Sequence, residues 1–285
     1  MTLSARALLL GAAACAVAFA VLMLFAYGSG EVRYVDGAAV QSFIGALGPS
    51  GSTLANRVVD IGDPLPVALL AGCLAAVGFA RGRPRLAIFV LLLIGLTSVG
   101  SQVLKQLLAF PRANGAANIG DAAYPSGHTT AAMALAIGLL VVTPRRLRPI
   151  AAVVALALVL GMSYSLIAAG GHFPSDVLGA YLFATGTGLC LLAGLQAYES
   201  RFTAGAGREA ARGGATRALT ATPAAALVLL AVLAVAAAAA IAIFGPGLLL
   251  AFARANTIAV VVAGALAVAA TVLIAGAVLT VGRQA

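Results

Sequence analysis

Charge is scarce in this sequence. Only 9% of its 285 residues are Asp, Glu, Lys or Arg, and 62% are hydrophobic. A soluble domain carries about 25% charged residues, so a soluble globular fold is excluded. Cysteine is rare as well: Cys15, Cys73 and Cys190 all lie inside apolar runs with no C-x-x-C spacing. They read as small packing residues and imply neither a disulfide framework nor a metal site. Histidine occurs twice, as His128 in "YPSGHTT" and His172 in "GGHFPSDVLG", each beside a Pro, a Ser and a Gly.

What is present is a series of apolar runs, each about 20 residues long and able as a helix to cross about 30 Å of hydrocarbon. Eight spans are expected, at 7–27, 64–80, 86–108, 127–143, 150–169, 177–196, 223–244 and 257–281. The first is too long for a secretory h-region of about 7–15 residues and reads as a retained helix. The expected fold class is an all-α integral membrane protein, a six-helix core with a C-terminal two-helix hairpin. Residues 1–196 form the core, 197–222 a polar linker rich in Gly, Ala, Thr and Arg, and 223–285 the hairpin. The hairpin offers no chemistry, so packing or homo-oligomerisation is its expected use. A short interfacial helix is expected within 28–62.

The connecting segments alternate in charge. One set holds 12 basic residues, including Arg81, Arg83, Arg85, Arg145, Arg146 and Arg148, against the acids Glu199 and Glu209. The other set holds Arg33, Arg57, Lys105, Arg112 and Arg254 against six acids, among them Asp36, Asp63 and Asp176. The positive-inside rule makes the first set cytoplasmic, with both termini inside and an even number of spans. The net charge of +9 is thus a matter of orientation in the bilayer, and no nucleic-acid partner is expected. Lys105, Arg112, His128 and His172 then all emerge on the non-cytoplasmic face.

Those residues have a common chemistry. Lys105 and Arg112 supply fixed positive charge, and the arginine fork matches two phosphate oxygens. "PSGH" at a helix start offers backbone N–H groups and the Ser126 hydroxyl at the positive end of a dipole. Gly127 lets a ligand approach the backbone closely. His172 and Asp176 stand four apart, so the carboxylate can hold Nδ1–H and free Nε2 as a nucleophile or base. A second histidine can supply a proton to a leaving group. Taken singly, each has a plain structural reading: a snorkelling lysine, an interfacial arginine, a helix cap, a dipole-favouring aspartate. Taken together on one face, they describe phosphoryl transfer through a phosphohistidine without a metal or other cofactor.

At these residues the sequence resembles the type 2 phosphatidic acid phosphatase (PAP2) superfamily of membrane lipid phosphatases, whose pattern is K-x6-R-P, then P-S-G-H, then S-R-x5-H-x3-D. The resemblance covers residues 1–196. It implies that Lys105, Arg112, Ser126 and Gly127 bind phosphate, that His172 is the nucleophile, that Asp176 orients it, and that His128 is the acid. It also implies metal-independent hydrolysis of a lipid phosphate or pyrophosphate in a bacterial-type plasma membrane. Two positions depart from the pattern: Ala113 stands where the family has proline, and Leu166 follows Ser165 where the family has arginine. Losing a charged hydrogen bond to phosphate costs about 1.5–3 kcal/mol, which slows such an enzyme without removing its nucleophile. A phosphotransferase and a non-catalytic lipid-phosphate-binding subunit are the alternatives. A transporter is disfavoured, because no span carries a charge near its middle.

Overall fold

The computed structural model describes residues 4–111, 119–203 and 246–282. Every described element is helical. The helices are α1 (Ala5–Gly28), α2 (Gly30–Asp60), α3 (Pro64–Ala80), α4 (Pro84–Leu107), α5 (Gly127–Val142), α6 (Arg148–Ala168), α7 (Pro174–Thr203), α8 (Pro246–Ala255) and α9 (Thr257–Gly282). Their limits follow local chemistry. Ser4, Ser29 and Ser126 cap α1, α2 and α5 with their hydroxyls, each satisfying an otherwise orphaned N–H. Prolines open α3, α4 and α6, where a missing N–H is harmless. Gly82 and Gly170 take positive φ (66° and 71°) in the tight turns after α3 and α6.

Among the described residues, five helical segments are long and apolar enough to cross a membrane: Ala5–Gly28, Pro84–Leu107, Arg145–Ala168, Pro174–Glu199 and Thr257–Thr280. A sixth candidate joins Thr53–Asp60 to Pro64–Ala80 through a 53° bend. The expected span at 127–143 is the helix α5, which has 16 residues. It rises about 24 Å at 1.5 Å per residue, short of a bilayer core. It does not have to meet lipid: α3, α4, α6 and α7 surround it, and Thr129–Gly138 are all buried. The expected span at 223–244 lies outside the described residues.

The short helix expected within 28–62 is instead α2, with 31 residues. Glu31 in its first turn and Arg57 in its last suit the helix dipole. Its mixed polarity hid its length from any reading based on apolar runs. A straight helix from Asp36 to Asp60 would reach about 36 Å. Yet Asp36 bonds Ser175 at the start of α7 and Gly62 lies against His128 at the start of α5, and those two starts are themselves hydrogen-bonded. The helix therefore bends back on itself, and Pro49, which has no N–H to donate, lies midway along it. Both ends of α2 reach the same end of the bundle.

The opposite end gathers the arginines. Arg81 donates to the carbonyl of Val142, Arg148 Nε donates to Thr143 O at 3.3 Å, and Arg85 pairs with Glu199 at 3.6 Å. These contacts join the α3–α4 turn, the α5–α6 turn and the far end of α7. Helix α9 packs against α2, α5, α6 and α7, burying Val262, Leu266, Ala270, Ile274 and Val278 at helical spacing. Tyr164 of α6 donates to Ala263 O at 2.8 Å across this seam. The last helix is thus docked on the core of its own chain.

Tyr124 is fully buried, and its hydroxyl donates to Phe19 O at 2.9 Å. A Cβ at Gly179 would come within 2.5 Å of its ring. Gly179→Ala is expected to destabilise the protein by about 1–3 kcal/mol, because the ring is held at both ends. A thermal unfolding curve in detergent checks this, and an unchanged midpoint would contradict it.

Candidate active site

The end of the bundle opposite the arginines carries both histidines. Tyr124 anchors the segment before α5, and Ser126 starts the helix: its Oγ accepts from Thr129 N at 3.3 Å and donates to Thr129 Oγ1 at 3.1 Å. The backbone N–H of Ser126 donates to Asp176 O at 3.1 Å. That one bond ties the P-S-G-H turn to the segment holding the second histidine.

In that segment His172 Nδ1 lies 3.4 Å from Asp176 Oδ2, and the same oxygen accepts from Phe173 N at 3.0 Å. Asp176 is fully buried and His172 is 7% exposed. With Nδ1 turned to the carboxylate, Nε2 is the nitrogen left for chemistry. The start of α7 is held from a distance by Asp36 of α2, itself 4% exposed. Asp36 accepts from Ser175 N at 3.1 Å through Oδ1 and from Ser175 Oγ at 2.6 Å through Oδ2.

Lys105 closes α4 and points at the start of α5. A Cβ placed on Gly127 would lie 3.6 Å from Lys105 Nζ, 3.7 Å from Gln102 Nε2 and 3.8 Å from Ser101 Oγ. An ammonium, an amide and a hydroxyl thus converge on the positive end of a helix, a geometry suited to an anion. Lys105 and His172 are both within electrostatic reach of His128, and Lys105 is within reach of Asp176. His128 Nε2 lies 3.3 Å from Asp63 Oδ1. Next to Asp63, a Cβ on Gly62 would come within 2.5 Å of His128 Cδ2, so only glycine fits there.

A cavity of about 560 Å³ opens from this cluster between α3 and α4. Its polar end carries Gln102, Lys105, Gly127 and His128, and its walls continue as apolar residues such as Val67, Leu91 and Val99. His172 does not line it. Among the described residues, no group of three or more His, Cys, Asp or Glu could hold a metal ion.

The structure brings together six of the seven residues expected from sequence: His128, His172, Asp176, Lys105, Ser126 and Gly127. Arg112 lies outside the described residues. Asp36, Gly62, Asp63 and Gln102 were not anticipated. Asp63 alone left a local trace, as an aspartate just before a helix-opening proline; its partner stands 65 positions away.

Residues 86–200 match the model of the PAP2 superfamily. The matched segment is similar to that superfamily over 115 of the chain's 285 residues. It holds Lys105, the P-S-G-H turn and the His172–Asp176 pair, whereas Asp36, Gly62 and Asp63 lie before it. The fold is similar to the crystal structure of a transmembrane PAP2-type phosphatidylglycerolphosphate phosphatase from Bacillus subtilis, with a TM-score of 0.54 at 19% identity. The likeness covers 67% of this chain and 96% of that one. No curated protein matches the sequence. Leu166, where the superfamily pattern has arginine, is buried in an apolar cluster with Ala132 and Met162 that Val59 of α2 closes. The position belongs to the core in this chain.

Asp36→Ala removes two hydrogen bonds from the start of α7, both charge-assisted by the carboxylate. The expected cost is about 1.5–3 kcal/mol. It should appear as a lower unfolding temperature, and an unchanged one would mean that Ser175 is held by other contacts.

Proposed function

We propose that this protein hydrolyses a lipid phosphate or pyrophosphate, with phosphatidic acid, phosphatidylglycerol phosphate and polyprenyl pyrophosphate as the candidate substrates. The observation that carries the reading is the pairing of a cationic helix-start cluster with an apolar cavity. A phosphate suits the first and an acyl or prenyl chain suits the second. The phosphate would sit against the N–H groups of α5 with Lys105, and Arg112 would add its fork.

His172 Nε2 then attacks phosphorus as the bond to the leaving oxygen breaks, and His128 gives that oxygen its proton. Water next attacks the phosphohistidine, returns a proton to His128 and releases inorganic phosphate with neutral His172. Asp176 keeps Nδ1 of the nucleophile engaged throughout and stabilises positive charge on the ring. The arginine-rich end of the bundle suits the cytoplasm, and this supports a site on the opposite face. The apolar surroundings of Leu166 favour one second reading, a binding subunit that holds lipid phosphates without turnover.

Phosphate release from a panel of lipid phosphates and pyrophosphates in EDTA tests the proposal. Wild type should turn over, and His172→Ala, checked for folding by size exclusion, should lose activity by at least about a hundredfold. Phosphate binding without release by either protein would favour the binding subunit. The pH dependence of kcat/KM should be bell-shaped, since one histidine must be neutral and the other protonated. Turnover that collapses in EDTA and returns with Mg²⁺ would rule out the phosphohistidine route as drawn.

A further inference from the structure

The nucleophile has a carboxylate of its own, and the acid has one too. Asp63 occupies the N-cap position of α3, where an aspartate ordinarily accepts from the first N–H groups of its helix. Here its side chain makes no cap hydrogen bond; it lies 3.3 Å from His128 Nε2 instead. The side chain is 56% exposed, so burial does not force this contact. The neighbouring Gly62 has no side chain, and that lets the loop lie against the imidazole, at a distance where any Cβ would clash. Gly62 and His128 line the same cavity.

We propose that Asp63 is the positioning residue for the leaving-group acid, holding Nε2 of His128 aimed at the cavity mouth until a substrate oxygen takes over the hydrogen bond. This rests on the reading of His128 as the acid. The proton on Nε2 passes to the leaving oxygen as the P–O bond breaks, and water restores it in the second step. Asp63 remains a carboxylate in both steps. Its charge also favours the protonated imidazole. Burial acts most strongly against the protonated form, and the other groups facing His128, Lys105 on α4 and His172 before α7, act in the same sense as burial. Asp63 is thus the one described side chain in this set that favours the acid form.

The test compares wild type, Asp63→Asn, Asp63→Glu and His128→Ala as full-length proteins in detergent with EDTA. Two substrates are used. Dihexanoyl phosphatidic acid has an alkoxide leaving group that needs a proton, and 4-nitrophenyl phosphate has one that does not. Asp63→Asn should lower kcat on the first by about tenfold, a part of the roughly 10²–10⁴-fold a general acid supplies, with KM changed less than about twofold. On the second it should fall less than about threefold. The alkaline limb of kcat/KM should move to lower pH, because removing an anion within about 4–6 Å of a cationic acid eases its deprotonation. Asp63→Glu should recover part of kcat and of the limb position.

If His128→Ala costs both substrates equally, His128 is not the acid and the proposal falls with that reading. If His128→Ala discriminates between the substrates while Asp63→Asn leaves kcat and the alkaline limb unmoved, the assignment of Asp63 alone is overturned. A faster Asp63→Asn enzyme would also overturn it, since Asp63 would then be competing with substrate.

Discussion

The hydrogen bond from Ser126 N–H to the carbonyl of Asp176 is the contact on which the site depends. It joins two short loops that are 50 residues apart in the chain. One loop starts α5 and presents backbone N–H groups and His128. The other starts α7 and presents His172 with its carboxylate. The link holds the start of α5, with His128, against the loop that carries His172. For the phosphoryl transfer proposed above, which depends mainly on positioning, such a link matters more than any single charge.

Polar groups inside a membrane protein must be satisfied within the chain. Here that requirement gathers the polar residues into layers at the two ends of the bundle. At one end arginines donate to carbonyls at the end of α5. At the other, Asp36 accepts from Ser175 in the first turn of α7 and Asp176 from Phe173 just before it. The middle is filled by small residues on α5, which let four helices close around it. A buried short helix with a polar start is a natural place for a site, because its dipole end meets the groove and not the lipid.

The segment before the residues that match the PAP2 model is more than a membrane anchor. Helix α2 and the loop after it reach the site twice, through Asp36 and through Asp63, and its Val59 covers Leu166. Together they bring two carboxylates to the histidine loops, and Val59 of the helix packs on the apolar cluster that holds Leu166.

Much of this was legible in the chain alone, and the reason is locality. Spans are contiguous runs, so hydropathy finds α1, α4, α6, α7 and α9. The PSGH turn and the His172–Asp176 spacing are short enough to be read directly. The reach of α2 was not legible, because its mixed polarity resembles a loop and its bend depends on what its ends touch. The pairing of Asp63 with His128, 65 residues apart, and of Asp36 with Ser175, 139 apart, follows no period. Sequence alone determined which groups could perform the chemistry and that they lie in a membrane. Tertiary structure decided which carboxylate lies beside His128, because only helix packing brings side chains that distant within hydrogen-bonding range.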